Sequence, residues 1–178
     1  MLRRGHLALA AAVLTLSAAT LPASAAHPVR SQKAQDASLA SELLTDLNSV
    51  RRQHGLTALE ASPALRAAAA QHSREMAVDG YFSHKSMDGS PFWKRVARYY
   101  PSTRSRLWAA GENLLWSSPS IGANAAIRLW LGSPEHRRNM LDPRWREVGI
   151  ATVHMVAASG FYQGREITVV TADFGVRR

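Results

Sequence analysis

Apolar residues recur with helical spacing after the first forty positions of the chain. Between residues 38 and 54 they fall four, four and three positions apart, at Leu39, Leu43, Leu47 and Val50. That spacing places one apolar stripe along a helix, and Gly55 is a residue type that commonly ends one. The pattern predicts a helix over residues 38–54.

A second helix is predicted from Ser62 to Gly80. Ser62 and Pro63 are typical of an N-cap followed by a first turn, and Gly80 is typical of a helix end. Four residues then share one face of the helix, namely Leu65, Ala69, His72 and Met76. A histidine on an apolar stripe is usually a hydrogen-bonded core residue, so we expect His72 to be buried.

Three shorter helices and two strands complete the prediction. The helices span residues 91–100, residues 119–131 with a stripe of Ile121, Ala125 and Leu129, and residues 133–141. The strands span residues 148–156 and 167–174, which are rich in Val, Ile and Thr and are separated by glycine turns. Helices come first and strands last, and this order predicts an α+β layered domain rather than a βαβ repeat.

The N-terminal residues are typical of a secretory signal peptide. Arg3 and Arg4 precede the apolar run Leu7–Leu21, and Ala23-Ser24-Ala25 is a small-x-small cleavage pattern. The apolar run is shorter than the ~20 residues that a membrane-spanning helix needs. We expect cleavage between Ala25 and Ala26, and the arginine pair leaves both the general secretory and the twin-arginine export routes open.

Cleavage would leave 153 residues outside the cytoplasmic membrane, either secreted, extracellular or periplasmic. Within them, residues 26–37 are polar without an apolar period, which predicts a disordered tail, and residues 38–178 form one domain. No later segment is long and apolar enough to predict a transmembrane segment.

Composition excludes several kinds of chemistry. The chain has no cysteine, so it has neither disulfides nor a thiolate nucleophile or ligand. The formal net charge is +9, of which the two arginines of the predicted signal peptide contribute +2. The remaining basic residues are dispersed and lack a nucleic-acid-binding motif, so the charge favours attraction to an anionic cell envelope rather than nucleic-acid binding.

A series of short motifs runs through the chain, in the order His72–Met76, Gly80–His84, Gly111–Leu114, Trp130–Leu141, Val148–Ile150 and Asp173–Gly175. Together they resemble motifs of bacterial proteins of the CAP superfamily, which includes cysteine-rich secretory proteins, antigen 5 and pathogenesis-related proteins. The resemblance covers residues 40–175. It implies a three-layer α-β-α sandwich with a central antiparallel sheet, secretion, and a large cleft. Some members bind a divalent metal in that cleft, and some bind sterols or other lipids elsewhere.

The resemblance also implies a set of cleft residues. His84, Glu112 and His136 match two histidines and one glutamate of the family, whereas the second glutamate of many eukaryotic members is replaced by the Leu131-Gly132-Ser133 stretch. Two imidazoles and a carboxylate could hold a divalent ion such as zinc, with His84 and His136 as ligands and Glu112 as ligand or general base. Their wide spacing in the sequence gives no local metal motif.

The sequence leaves alternatives open for the supporting residues and for the function. Asn113 and Asn139 are expected to bond to nearby groups, and Arg137 either binds an anionic ligand or pairs with an acid such as Glu112. The first hypothesis is a secreted binding module for a lipid, sterol, glycan or other envelope ligand. The alternatives are a metal-dependent hydrolase, in which Glu112 would be catalytic, and a structural or adhesive envelope protein.

Overall fold

The computed structural model describes residues 27–103 and 105–178. Five helices and four strands follow one another in the order α1 (His27–Gln53), β1 (Glu60–Ala61), α2 (Pro63–Asp79), α3 (Phe92–Tyr99), β2 (Trp108–Ser117), α4 (Ala123–Gly132), α5 (Pro134–Met140), β3 (Glu147–Ala158) and β4 (Arg165–Arg177). A 3-10 turn, Gly160–Tyr162, joins the last two strands. The predicted signal peptide, residues 1–25, lies outside the described residues.

Strand β4 lies at the centre of the sheet. The strand order is β1-β3-β4-β2, and β4 pairs antiparallel with β3 on one side and with β2 on the other. The predicted antiparallel pair is therefore confirmed. The two-residue strand β1 pairs parallel with β3, so the sheet is mixed rather than wholly antiparallel.

Helices cover both faces of this sheet. On one face, α1, α4 and α5 pack on alternate residues of β4, and this core contains Leu47, Trp130 and Phe174. On the other face, α2 and α3 pack on β2, β3 and β4 around Met76 and Val96. The arrangement confirms the α+β class and the α-β-α layers.

Helix α2 agrees with its prediction at both ends. Ser62 is the N-cap, Pro63 is the first helical residue, and Gly80 ends the helix in the left-handed region at φ 69°. The predicted stripe is fully buried, and His72 lies within it. Helices α3 and α5 also lie where they were predicted, within a residue or two of each end.

Helix α1 is longer than predicted. Residues 27–37, expected to be a disordered tail, continue the helix toward its N-terminus. Glutamine, lysine and alanine at this end have good helix propensity. The side chain of Gln32 also donates to Asp36 one turn later, and Thr152 of β3 donates to the Asp36 carbonyl at 2.7 Å. A polar helix without an apolar period is thus held by its propensity and by one contact to the sheet.

Helix α4 has a different buried face from the predicted one. It begins at Ala123 rather than at residue 119, and its buried residues are Ala123, Ala126, Ile127 and Trp130. Of the predicted stripe, Ile121 precedes the helix and Leu129 is 56% exposed. Trp130 fixes this orientation because its indole Nε1 donates to the Leu114 carbonyl of β2 at 3.0 Å.

Strand β2 was not predicted. It pairs with β4 along ten residues, from the Trp108–Arg177 pair to the Ser117–Thr168 pair. Glu112 and Asn113 lie at its middle and are both buried. In the part of the chain that the structure describes, no helix has both the length and the apolar character needed to cross a membrane.

Candidate functional site

Glu112 is the centre of the candidate site. Its carboxylate is fully buried on the side of β2 that faces α2 and α3. One oxygen, Oε1, lies 2.7 Å from His84 Nδ1, and the other, Oε2, accepts a hydrogen bond from Arg95 NH2. Both carboxylate oxygens therefore already have a charge-assisted or hydrogen-bonded partner.

His84 lies at the mouth of the site, on the segment between α2 and α3. Its side chain is 52% exposed, and its ring packs edge-on against Phe92 with 6.5 Å between ring centroids. Because Nδ1 bonds to Glu112, the carboxylate fixes the orientation of the ring. Among the described residues, the other ring nitrogen, Nε2, has no hydrogen-bond partner, so this edge of the imidazole is free to contact a ligand.

Arg95 is a functional-site residue that the sequence did not single out. It lies on the inner face of α3, is 1% exposed, and also donates to Ser86 Oγ at 3.2 Å. Arg95, and not Arg137, is the arginine that pairs with Glu112 in the structure. Arg137 is exposed on α5 and lines a different groove, so of its two alternatives the pairing with Glu112 is not observed.

His136 approaches the site from the other side of the sheet edge, on α5. Burial lowers its pKa below the usual histidine value, and the positive charge of His84 lowers it further. The backbone of His136 is held by Asn113, whose side chain donates to the His136 carbonyl at 3.0 Å. Because Asn113 follows Glu112 on β2, this bond places His136 of α5 next to the strand that carries Glu112.

The two asparagines and one glycine hold β2 against α5. Asn139 Nδ2 donates to the Glu112 carbonyl at 2.9 Å and to Asn113 Oδ1 at 3.1 Å. A side chain at Gly111 would place its Cβ 2.6 Å from Asn139 Oδ1. This contact explains the glycine of the Gly-Glu-Asn sequence. Only glycine at position 111 leaves space for the Asn139 amide, which bonds to β2 beside Glu112.

Asp173 is the second residue that sequence reasoning missed. It is the cross-strand neighbour of Glu112, on β4, and is completely buried. Neither of its carboxyl oxygens accepts a hydrogen bond from a described residue. Burial raises its pKa well above the usual value, and the neighbouring carboxyl group of Glu112 raises it further, by its charge and by a side-chain hydrogen bond. Asp173 therefore lies behind Glu112 in a position that favours its protonated form.

His72 completes the buried group behind the site. Its Nε2 donates to the Ser83 carbonyl at 2.8 Å, which anchors the residue next to His84. Burial lowers the pKa of His72, so the ring is neutral at neutral pH. The expected core position of His72 is confirmed, and its contact ties α2 to the segment that carries His84.

The geometry does not fit a zinc ion held jointly by the three predicted residues. No three His, Asp or Glu side chains of residues 27–103 and 105–178 are grouped closely enough to hold a metal ion. Glu112 also has both oxygens engaged by His84 and Arg95. His84 and His136 are the residues that remain able to contribute a ring nitrogen to a ligand.

One large groove of the described surface lies away from these residues. It has a volume of about 760 Å³ and is formed by the end of α4, by α5 and by the turn before β3. Its lining is mainly apolar, from Leu131, Leu141 and Pro143, with Arg137 and Arg144 among its polar residues. None of His84, Glu112 and His136 lines it, so groove size alone does not identify the candidate site.

Comparisons with known proteins agree on the family. Residues 44–172 match the family model described as CAP, the cysteine-rich secretory protein family. Two proteins of Bacillus subtilis (strain 168) are each 29% identical to this chain. The match to the uncharacterized membrane protein YlbC covers 61% of this chain and 30% of YlbC. The match to the uncharacterized protein YkwD covers 60% of this chain and 39% of YkwD. This chain thus spans well under half the length of either relative.

Three solved structures share the fold. The first is an extracellular protein containing an SCP domain from Bacillus anthracis str. Ames, with a TM-score of 0.64 and 24% identity over 89% of this chain and 45% of that one. An outer surface protein from Borrelia burgdorferi has a TM-score of 0.56 and 20% identity, covering 76% of this chain and 90% of its own. A cysteine-rich secretory protein from Staphylococcus aureus subsp. aureus Mu50 has a TM-score of 0.56 and 15% identity, and the match covers 79% of this chain and 39% of that protein. With a family match that spans most of its length, the chain is a bacterial-type member of the CAP, or cysteine-rich secretory protein, family.

Proposed function

We propose that the protein is an exported binding module that recognises a glycan of the cell envelope at the cleft between His84 and His136. The observation that carries the proposal is the state of Glu112, whose two oxygens bond to His84 and Arg95 in a buried position. A general base needs a free oxygen within reach of the proton that it removes. Glu112 instead serves to fix the imidazole of His84.

The exposed chemistry of the cleft is suited to a polar ligand. His84 is half exposed and His136 is partly exposed, so each imidazole can donate or accept one hydrogen bond at neutral pH. Phe92 adds an aromatic ring beside His84. Paired polar groups next to an aromatic surface suit a hydroxyl-rich sugar better than a lipid chain.

Export supports an envelope ligand. The signal-peptide pattern of residues 1–25 would place the domain outside the cytoplasmic membrane, in contact with the envelope. Two structural neighbours are described as an extracellular and an outer surface protein, which agrees with such a location. The basic composition of the domain adds attraction toward anionic envelope polymers.

Co-sedimentation with purified, insoluble peptidoglycan tests the proposal. We expect the His84→Ala/His136→Ala variant to lose at least about tenfold in affinity, since two hydrogen bonds at about 1 kcal/mol each are removed. His154→Ala is the matched control, because His154 lies on β3, where it pairs with Glu166 at 3.2 Å, outside the cleft. Thermal unfolding of every variant must show that it remains folded.

Three results would contradict this function. Binding of the double variant at the wild-type level would exclude the cleft as the glycan site. Saturable zinc binding by calorimetry, together with hydrolytic activity, both lost in the double variant, would favour a metal-dependent hydrolase. Unfolding of the double variant with no glycan binding by the wild type would favour a structural role for the polar cleft.

A further inference from the structure

Helix α3 has two faces of different character. Arg95 and Val96 point inward and are buried, whereas Trp93 and Lys94 are exposed on the opposite side, as is Arg98 one turn after Lys94. Trp93 is 46% exposed, although tryptophan is the side chain with the most to gain from burial. The outer face of α3 therefore combines a large aromatic ring with positive charge.

The segment before α3 extends this surface. Met87 is 65% exposed, next to Asp88. Arg95 of α3 donates to Ser86 Oγ at 3.2 Å, which places this loop beside the helix. Hydrogen bonds from Ser90 lower the pKa of Asp88, and the charges of Arg98 and Lys94 lower it further. We use the term α3 surface for the exposed side chains of Met87, Trp93, Lys94, Arg98 and Tyr99.

The fold holds the α3 surface firmly. Arg95 donates to Ser86 Oγ and to Glu112, so the loop and the helix are both fastened to the sheet. The hydroxyl of Tyr99 donates to Gln71 of α2 at 2.8 Å. The exposed apolar side chains are thus presented by a rigid support, and their exposure does not come from a loose end of the chain.

We propose that the α3 surface docks the protein on an anionic phospholipid bilayer. Tryptophan and methionine beside lysine and arginine are the combination that enters the boundary between headgroups and acyl chains, because the rings and thioethers bury apolar area while the cations remain among the phosphates. The cation of Lys94 lies 5.9 Å from the centre of the Trp93 ring, so apolar and charged groups meet the bilayer together.

The shape of the α3 surface favours a bilayer over a protein partner. The side chains project from a convex helix, whereas five grooves of the described surface, with volumes of about 210 to 760 Å³, are lined by other elements. A fluid bilayer accepts a convex, positively charged surface without a matching cavity. Docking would also bring the cleft near the membrane, since α3 contributes Arg95 to the site and Phe92 packs on His84.

Vesicle co-sedimentation of the mature protein, residues 26–178, tests this docking. Vesicles of phosphatidylcholine containing phosphatidylglycerol should bind the protein at low salt, and vesicles of phosphatidylcholine alone should bind it much less. Lys94→Glu/Arg98→Glu should reduce binding roughly tenfold or more, because each reversal replaces attraction by repulsion. Trp93→Phe should remove most of the shift of tryptophan emission to shorter wavelength that accompanies binding.

The control reverses the same number of charges elsewhere. Arg52 on α1 and Arg128 on α4 are exposed on the opposite side of the sheet, and Arg52→Glu/Arg128→Glu should leave vesicle binding within about twofold of the wild type. The cleft variant His84→Ala/His136→Ala should also bind vesicles normally, so failure of the glycan proposal and failure of this one remain distinguishable.

Two outcomes would overturn the docking proposal. Equal loss of binding in both charge-reversal pairs would show that only net charge matters. A wild-type protein that does not sediment with anionic vesicles would exclude the bilayer as the occupant and leave a protein partner for the α3 surface.

Discussion

The two faces of the sheet each bury an arginine, and the two arginines have different partners. On the α1 and α4 face, Arg51 donates to the backbone carbonyls of Met140 and Asp142. On the α2 and α3 face, Arg95 donates to the side chains of Glu112 and Ser86.

The two kinds of partner serve different purposes, one in stability and the other in function. A buried group that bonds to the backbone holds two segments together and presents nothing to a ligand. Buried ionisable side chains that depend on one another cost stability when one partner is lost, and natural proteins concentrate them at functional sites. The α2 and α3 face carries the candidate site for this reason, and four substitutions probe the contrast.

Gly149→Ala should have the largest effect. Gly149 lies on β3 directly beneath α2, and a Cβ there would be 1.9 Å from the backbone nitrogen of Arg66 and 2.1 Å from the carbonyl carbon of Leu65. Backbone atoms cannot move aside without separating α2 from the sheet, so we expect a loss above about 3 kcal/mol or no folded protein. Urea denaturation measures this loss in the free energy of unfolding.

Gly132→Ala is the matched control for that substitution. Gly132 ends α4, and a Cβ there would meet nothing within 4 Å. We expect a change of at most about 1 kcal/mol, in the stabilising direction, because alanine favours the helix more than glycine does. Equal losses in the two variants would contradict the tight contact of α2 with β3.

Arg95→Met should cost about 3–5 kcal/mol at neutral pH, because it leaves the buried carboxylate of Glu112 without its cation. The additional change Glu112→Leu should recover much of that loss, since an apolar pair of similar volume needs no compensating charge. Leu47→Ala on the opposite face should cost about 2–5 kcal/mol and offers no such recovery. Arg95→Met with wild-type stability would show that the ion pair is unimportant.

The third prediction concerns pH and His72. Burial lowers the pKa of His72 in the folded protein, so the unfolded chain binds a proton near pH 6.5 that the folded protein does not. Its contribution to stability is therefore present at neutral pH and is lost as the pH falls below about 6.5, by up to about 1.4 kcal/mol per pH unit. Denaturation at about pH 7.5, 6 and 5 should show this slope.

His72→Gln should flatten that dependence. His54→Gln should leave it unchanged, because His54 is exposed at the end of α1. Titration of the His72 ring by NMR at or above the ordinary histidine pKa would refute the interpretation.

Asp173→Asn should have the smallest effect, and in the opposite direction. Because burial raises the pKa of Asp173 in the folded protein, the unfolded chain releases this proton at lower pH, above about pH 3.9, and this release favours unfolding. An amide removes this penalty, so the variant should be as stable as the wild type or more stable at neutral pH, with no such gain below about pH 3.9.

Asp142→Asn provides the comparison for Asp173. Hydrogen bonds from Arg144 lower the pKa of Asp142, so its contribution to stability is present at neutral pH and is lost on acidification. Its amide variant should therefore be less stable than the wild type at neutral pH. A loss of stability in Asp173→Asn that is the same at every pH would show that folding does not raise the pKa of Asp173.

Sequence patterns predicted the parts of the fold whose apolar periodicity was unambiguous. The buried stripe of α2 and the pairing of β3 with β4 are examples. Helix α4 is apolar almost all round, so two different stripes fit its sequence and the tertiary contact of Trp130 decides between them. Strand β2 escaped prediction because glycine, glutamate and asparagine are poor strand formers and its middle is buried on both faces.

Sequence motifs predicted only part of the candidate site. The structure brings Glu112 together with His84, and hydrogen bonds join β2 to α5, which carries His136. Neither Arg95 nor Asp173 could be assigned to the site from the sequence. Arg95 reaches Glu112 only because α3 folds over β2, and Asp173 becomes its neighbour only through the register of β4. Long-range register and helix placement leave no local trace in a sequence.

The central position of β4 also constrains how the chain acquires its structure. β2 and β3 do not pair with each other; both pair with β4, which follows β2 by about fifty residues and comes after every other described element in chain order. While the polypeptide emerges from the ribosome, the earlier strands lack the partner that satisfies their backbone groups. We therefore expect folding to be a late, all-or-none event with a slow rate typical of non-local strand pairing, and chains truncated before β4 to be degraded rather than to persist as stable intermediates.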